Sequence, residues 1–131
     1  MITSEQAQLF MSIFRARNDI YARRWEKGER NGYSPAYQFD WNEFMAFKAK
    51  GGKISDFSNK QLLPLTIEKV QKHLEGIETV GVYPLLKDNT SFFIAADFDE
   101  KNWQQNCKTF IDTCTSFELP TYLERSRSGN G

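Results

Sequence analysis

The stretch Phe92-Phe93-Ile94-Ala95-Ala96-Asp97-Phe98-Asp99 decides how this chain reads. An apolar, aromatic-rich run closes on an Asp-x-Asp pair, which predicts a strand over residues 91–99. Side chains alternate along a strand, so Asp97 and Asp99 share a face with Ala95. Ile94, Ala96 and Phe98 then point the other way, into covering helices. Two strand rises set the carboxylates ~7 Å apart at Cα. Both can then reach a pair of divalent cations about 3.5–4 Å apart. Oxygen ligands without His or Cys favour Mg²⁺ or Mn²⁺ over zinc. The plainer alternative is a strand that ends in solvated acids, with Asp99 capping the next helix. The apolar lead-in weighs against it, because like charges at a buried sheet edge need a counter-ion.

Working outward, Lys87-Asp88-Asn89-Thr90 is a turn cluster and Thr79 to Leu86 is β-rich. Residues 79–99 therefore read as an antiparallel hairpin. Downstream, Trp103, Cys107, Phe110, Ile111, Cys114 and Phe117 recur at steps of three and four, giving a helix over 101–117. Pro120 breaks it, and 121–126 is a last strand. Upstream, Thr66 caps a helix over 67–75 with Ile67, Val70 and Leu74 as its buried stripe, closed by Gly76.

At the start, Thr3 with Gln6 is a capping-box pattern for an amphipathic helix over 4–16, with Leu9, Phe10, Ile13 and Phe14 at helical spacing. Asp19 to Trp25 reads as a short strand and Glu26 to Pro35 as loop. Tyr37, Phe39, Trp41, Phe44 and Phe47 promise packing around a short helix over 42–50, ended by Gly51-Gly52. Lys48, Lys50, Lys53 and Lys60 against Asp56 make that loop locally basic. The element order gives an α+β fold with helices on one face of a sheet. It divides into an N-terminal extension, 1–62, and an α+β core, 63–131.

At 131 residues the chain can bury a real core. Hydrophobic residues are 40% and charged residues 26%, which excludes a disordered or collagen-like chain. Lys plus Arg equals Asp plus Glu at 17 each, so any nucleic-acid site is a local patch rather than a basic coat. No apolar run approaches ~20 residues, so no transmembrane helix is expected. Residues 1–17 lack a signal-peptide pattern. The two cysteines, Cys107 and Cys114, would lie ~10 Å apart along one helix, too far to bridge. The chain thus reads as cytoplasmic and reduced, with buried inert thiols. It stops in Ser128-Gly129-Asn130-Gly131 straight after a strand, which reads as a fragment of a longer protein.

A second constellation is Leu123-Glu124-Arg125-Ser126-Arg127-Ser128-Gly129-Asn130-Gly131. Arg125, Arg127, Ser128 and Gly129 can form an anion site from backbone N–H groups, a hydroxyl and guanidinium forks. A flexible surface turn is an equal alternative. Arg15, Arg17, Arg23 and Arg24 can contact phosphates, with Tyr21 and Trp25 available for stacking. A salt-bridged face beside Asp19, Glu26 and Glu29 explains the same tract. His73, between Lys72 and Glu75 in its helix, reads as a surface residue.

Several separated blocks carry a resemblance. They are Phe14 to Glu26, Gly32-Tyr33-Ser34-Pro35, Leu63-Pro64-Leu65-Thr66, His73-Leu74-Glu75-Gly76, Val80 to Leu86, Ala95 to Asp99 and Leu123 to Gly131. In order and over nearly the whole chain, they resemble the archaeo-eukaryotic-type primase domain of TOTE conflict systems, often joined to a helicase and an endonuclease. The resemblance implies an RRM-like antiparallel sheet and a primase–polymerase (DNA primase, nucleotidyltransferase) working on a single-stranded DNA template with nucleoside triphosphates. It implies that Asp97 and Asp99 bind catalytic Mg²⁺ or Mn²⁺. It also implies that Arg125, Arg127, Ser128 and Gly129 approach the motif that holds the nucleotide phosphates. That motif's His and a third carboxylate would lie past Gly131, so the 131 residues alone are expected to be inactive, and the parent to act with a helicase module in cis or trans. Relatives often carry a cysteine cluster between the Tyr-Ser-Pro and Leu-Pro-Leu blocks. This chain has none there, so no zinc is expected, and Phe44, Phe47 and Phe57 must hold that loop or leave it mobile. The competing expectation is a non-catalytic single-stranded nucleic-acid-binding or regulatory module of a helicase protein.

Overall fold

The computed structural model describes residues 1–125. The fold is α+β and divides into two compact units, Met1–Ile94 and a second from Ala95 onward.

In the first unit, helix α1 spans Ser4–Ile13. Thr3 caps it as its spacing from Gln6 requires: the Gln6 N–H donates to Thr3 Oγ1 and the Thr3 N–H donates to Gln6 Oε1. The helix ends three residues earlier than its apolar spacing predicts. Phe14 leaves helical geometry, and the Arg17 N–H donates instead to the Tyr83 carbonyl. Helix α1 packs on the helix Ile67–Leu74, through buried Ala7 and Val70. That second helix carries the expected Thr66 cap and ends at Gly76 in the left-handed region.

Strand β1, Ala22–Lys27, pairs antiparallel with β2, Arg30–Pro35. Residues 26–35 are therefore mostly hairpin, not loop. Their polar composition hid the strand because one face of an antiparallel sheet can face water. The two-residue connection Gly28-Glu29 puts Gly28 at φ +60°, where glycine carries no Cβ penalty and which hairpin turns of this length often require. On its other edge β1 pairs with β5, Val80–Gly81, giving the order β2-β1-β5.

This pairing replaces the 79–99 hairpin. The turn at 87–90 forms as expected, with Asn89 left-handed, its N–H donating to the Leu86 carbonyl, and Thr90 bonded to Asp88. Residues 91–99, however, carry no ladder. A strand needs a neighbour for its backbone groups, and residues 82–86, which should supply one, form no strand beyond β5. Ile94, expected to be buried, is 93% exposed, and Ala96 is exposed as well. Residues 121–125, expected to begin a strand, are irregular.

Residues 37–62 form a closed clasp. Strands β3, Tyr37–Gln38, and β4, Gln61–Leu62, join its ends. Inside lie a helix, Trp41–Ala49, capped by Asp40, and a 3₁₀ turn, Ile54–Asp56. Phe57 is the hub: its ring centroid lies 5.3 Å from Phe47, 5.5 Å from Phe44 and 6.1 Å from Phe39. Phe44 and Phe57 are buried. Lys60, one of the lysines that make this loop locally basic, donates to the carbonyls of Ile54 and Ser55 at 2.7 and 2.6 Å.

The second unit is built on a helix, Trp103–Ser116. Its inward stripe is Trp103, Cys107, Ile111 and Cys114, all buried or half-buried, and both cysteines are free thiols. Phe110 and Phe117, read as part of that stripe, are largely exposed. Phe98 packs on Phe110 with centroids 5.5 Å apart.

Candidate metal centre

Asp97 and Asp99 sit on the irregular segment that enters the Trp103–Ser116 helix. Both are exposed, and both line one cleft of about 150 Å³ together with Phe98, Glu100, Trp103 and Asn106. The contact of Phe98 with Phe110 anchors the segment between the two acids. On the other side the Trp103 N–H donates to the Glu100 carbonyl at 2.9 Å, and the helix begins. Trp103 and Asn106 are one turn apart, so they reach the same wall. The segment thus brings the two acids to one place without the strand that was expected to do so.

Asp99 does not cap the helix. The N-cap is Asn102, and no side chain bonds there. The plainer explanation of the acid pair therefore loses its structural role for Asp99. Glu100 and Asn106 were not singled out in the sequence, and Trp103 was marked there only as part of the apolar helical stripe. Their signal was available in the i, i+3 spacing immediately after the Asp-x-Asp pair.

Among the described residues, no group of three or more His, Cys, Asp or Glu side chains could hold a metal ion. Two open carboxylates do not make a zinc cage. They fit Mg²⁺, which keeps several waters and binds through one or two carboxylates plus substrate phosphates.

The phosphate-binding candidates divide. Arg125 is exposed at the end of the described chain. Arg127, Ser128 and Gly129 lie outside the described residues.

The four arginines of the N-terminal tract do not form one patch. Arg17 makes a bidentate pair with Asp19, both bonds at 2.9 Å, and Lys87 joins the same carboxylate at 2.9 Å. Arg17, and then Lys87, hold the Asp19 carboxyl far below the usual carboxylate range, and Asp19 raises Arg17 in return. Arg24 pairs with Glu26 at 3.0 Å and lies 5.7 Å from the Tyr33 ring. Arg15 lies over Phe92, 3.8 Å from its centroid. Arg23 donates to the Tyr21 hydroxyl at 3.2 Å. Tyr21, a stacking candidate in the sequence, is buried and unable to stack on a base. His73 is half-buried rather than on the surface: its ring lies 6.0 Å from Phe10, and its Nδ1 is shielded from water with no hydrogen-bond partner among the described residues.

No helix among the described residues is long and apolar enough to cross a membrane. A family model described as the TOTE conflict system, Archaeo-Eukaryotic Primase domain, matches residues 5–131. No curated protein and no solved structure matches the chain.

Proposed function

The chain belongs to the archaeo-eukaryotic primase family of TOTE conflict systems, and from that premise we propose that it carries the metal-binding part of a primase–polymerase acting on single-stranded DNA. The family is one of nucleotidyltransferases. The observation that carries the reading to residues is the shared cleft: Asp97 and Asp99 line it together, open to solvent, with Glu100 beside them.

When bound, Mg²⁺ or Mn²⁺ would neutralise the triphosphate and lower the pKa of the attacking 3′-hydroxyl. Asp97 and Asp99 are the residues that would hold the cations, which bind through one or two carboxylates together with substrate phosphates and water. Asn106 supplies an amide that can donate to a phosphate or accept from a bound water. Phe98, tied to Phe110, keeps the two acids from separating. Arg125, Arg127, Ser128 and Gly129 orient the phosphates with guanidinium forks, a hydroxyl and backbone N–H groups. Residues 63–131 belong to this catalytic core and 1–62 to its extension. The protein works alongside a helicase module.

Mn²⁺ titration followed by amide NMR line-broadening tests the site. Asp97, Asp99 and Glu100 should broaden first, and Asp97→Asn with Asp99→Asn should remove the effect. Broadening spread evenly over the acidic surface would overturn the assignment.

A further inference from the structure

The β1–β2 hairpin has two faces of different character. Ala22, Arg24 and Glu26 of β1 share one face with Tyr33 and Pro35 of β2. There Ala22 is buried and Arg24 is held by Glu26. The opposite face carries Arg23, Trp25 and Lys27, facing Ser34, Gly32 and Arg30 in register. Every one of these residues except Gly32 is exposed.

Trp25 lies across Gly32. A Cβ at Gly32 would stand 2.9 Å from Trp25 Cζ2 and 3.2 Å from Cε2. The indole is therefore seated on backbone on one side, while it remains 43% exposed. Arg23, Lys27 and Arg30 surround it, and none of the three has an ion pair among the described residues. The acids nearby do not neutralise this face. Glu26 points to the other side with Arg24, and Glu29 sits in the turn. An aromatic platform seated on glycine and ringed by unneutralised cations is the chemistry that takes a stacked base and its flanking phosphates.

We propose that the solvent face of the β1–β2 hairpin, with Trp25 on Gly32 and with Arg23, Lys27 and Arg30, binds single-stranded nucleic acid by base stacking and phosphate contact. This contact uses none of the residues of the carboxylate cleft and needs no metal. It selects Arg23 from the basic tract and adds Lys27 and Arg30, which the sequence did not mark. Arg17 and Arg24 are left to their carboxylates.

The test is fluorescence anisotropy of labelled oligo-dT with the chain, in chelator, so that the carboxylate cleft makes no contribution. Trp25→Ala should weaken binding about tenfold, the usual loss for one stacked base, and Trp25→Phe should keep most of the affinity. Lys27→Gln with Arg30→Gln should lower the slope of log affinity against log salt by about 1.4, from ~0.7 per phosphate contact. These two residues sit at the exposed end of the hairpin, so the double variant reads out even if Trp25→Ala perturbs the fold. No binding by the unaltered chain overturns the proposal. So does wild-type affinity in both Trp25→Ala and the Lys27–Arg30 variant, or equal binding of duplex and single strand. Mn²⁺ broadening at Asp97 would persist in each case, so failure here is distinguishable from failure of the catalytic reading.

Discussion

Replacing Phe57 by Ala removes the hub of the 37–62 clasp. Phe57 is 6% exposed and meets Phe39, Phe44 and Phe47 with ring centroids between 5.3 and 6.1 Å. A buried Phe→Ala change costs about 3–5 kcal/mol from lost burial and the cavity left behind. Relaxation should keep the loss near the lower figure, because Trp41 and the clasp's outer surface are exposed and can settle inward. A domain of this length loses about 3–5 °C in Tm per kcal/mol, between the values for smaller and larger domains. The expected fall is therefore about 10–15 °C. Urea unfolding followed by circular dichroism gives the global change. Tryptophan fluorescence adds a local probe, because Trp41 lies 6.0 Å from Phe44. A loss below about 1 kcal/mol would refute the claim that aromatic packing holds this segment. A chelator should leave the Tm of an Asp97→Asn, Asp99→Asn protein unchanged, and a clear fall there would point to a metal in the clasp instead.

Three further changes test other parts of the fold. Gly52→Ala should destabilise by about 1–3 kcal/mol in urea melts, because its new Cβ would stand 2.2 Å from Phe47 Cε1 and push that ring into Phe57. Thr3→Ala should cost about 1 kcal/mol by removing the capping box, also read in urea melts. Asp19 is held far below its ordinary range, so its contribution is complete above the unfolded pKa of about 3.9 and fades as pH falls through the folded value. Melting curves from neutral pH down through that window should fall faster for the unaltered protein than for Asp19→Asn, and parallel curves would contradict the assigned role.

Local signals were legible wherever one residue decides a backbone event. Thr3, Thr66 and Asp40 sit at helix starts and bond the expected N–H groups, although Asp40 lay outside the residues marked in the sequence. Gly76 and Asn89 adopt the left-handed backbone their positions call for. Phe44, Phe47 and Phe57 pack together, which is the first of the two outcomes open to the cysteine-free loop. Pairing was not legible, because strand partnership is non-local. The apolar run 92–99 has the composition of a strand, yet its expected partner segment is a strand only at Val80–Gly81, against β1. The polar stretch 30–35 has the composition of a loop, yet Gly28 folds it back onto β1. Charge partners were only half visible. Asp19 and Glu26 were seen as neighbours of the arginines, whereas Lys87, far along the chain, was not. The Asp97–Asp99 pair was found on strand logic, and the two residues share a cleft by a different route, through the Phe98 anchor and the start of the following helix.

The central claim is that Asp97 and Asp99 serve nucleotidyl transfer. The most direct measurement is incorporation of labelled nucleotide on a single-stranded DNA template with Mn²⁺ by the native full-length protein, beside a version carrying Asp97→Ala and Asp99→Ala. Template-dependent product from the first and none from the second is the expected result. Equal product from both, or none from either while single-strand binding stays intact in both, would contradict the assignment.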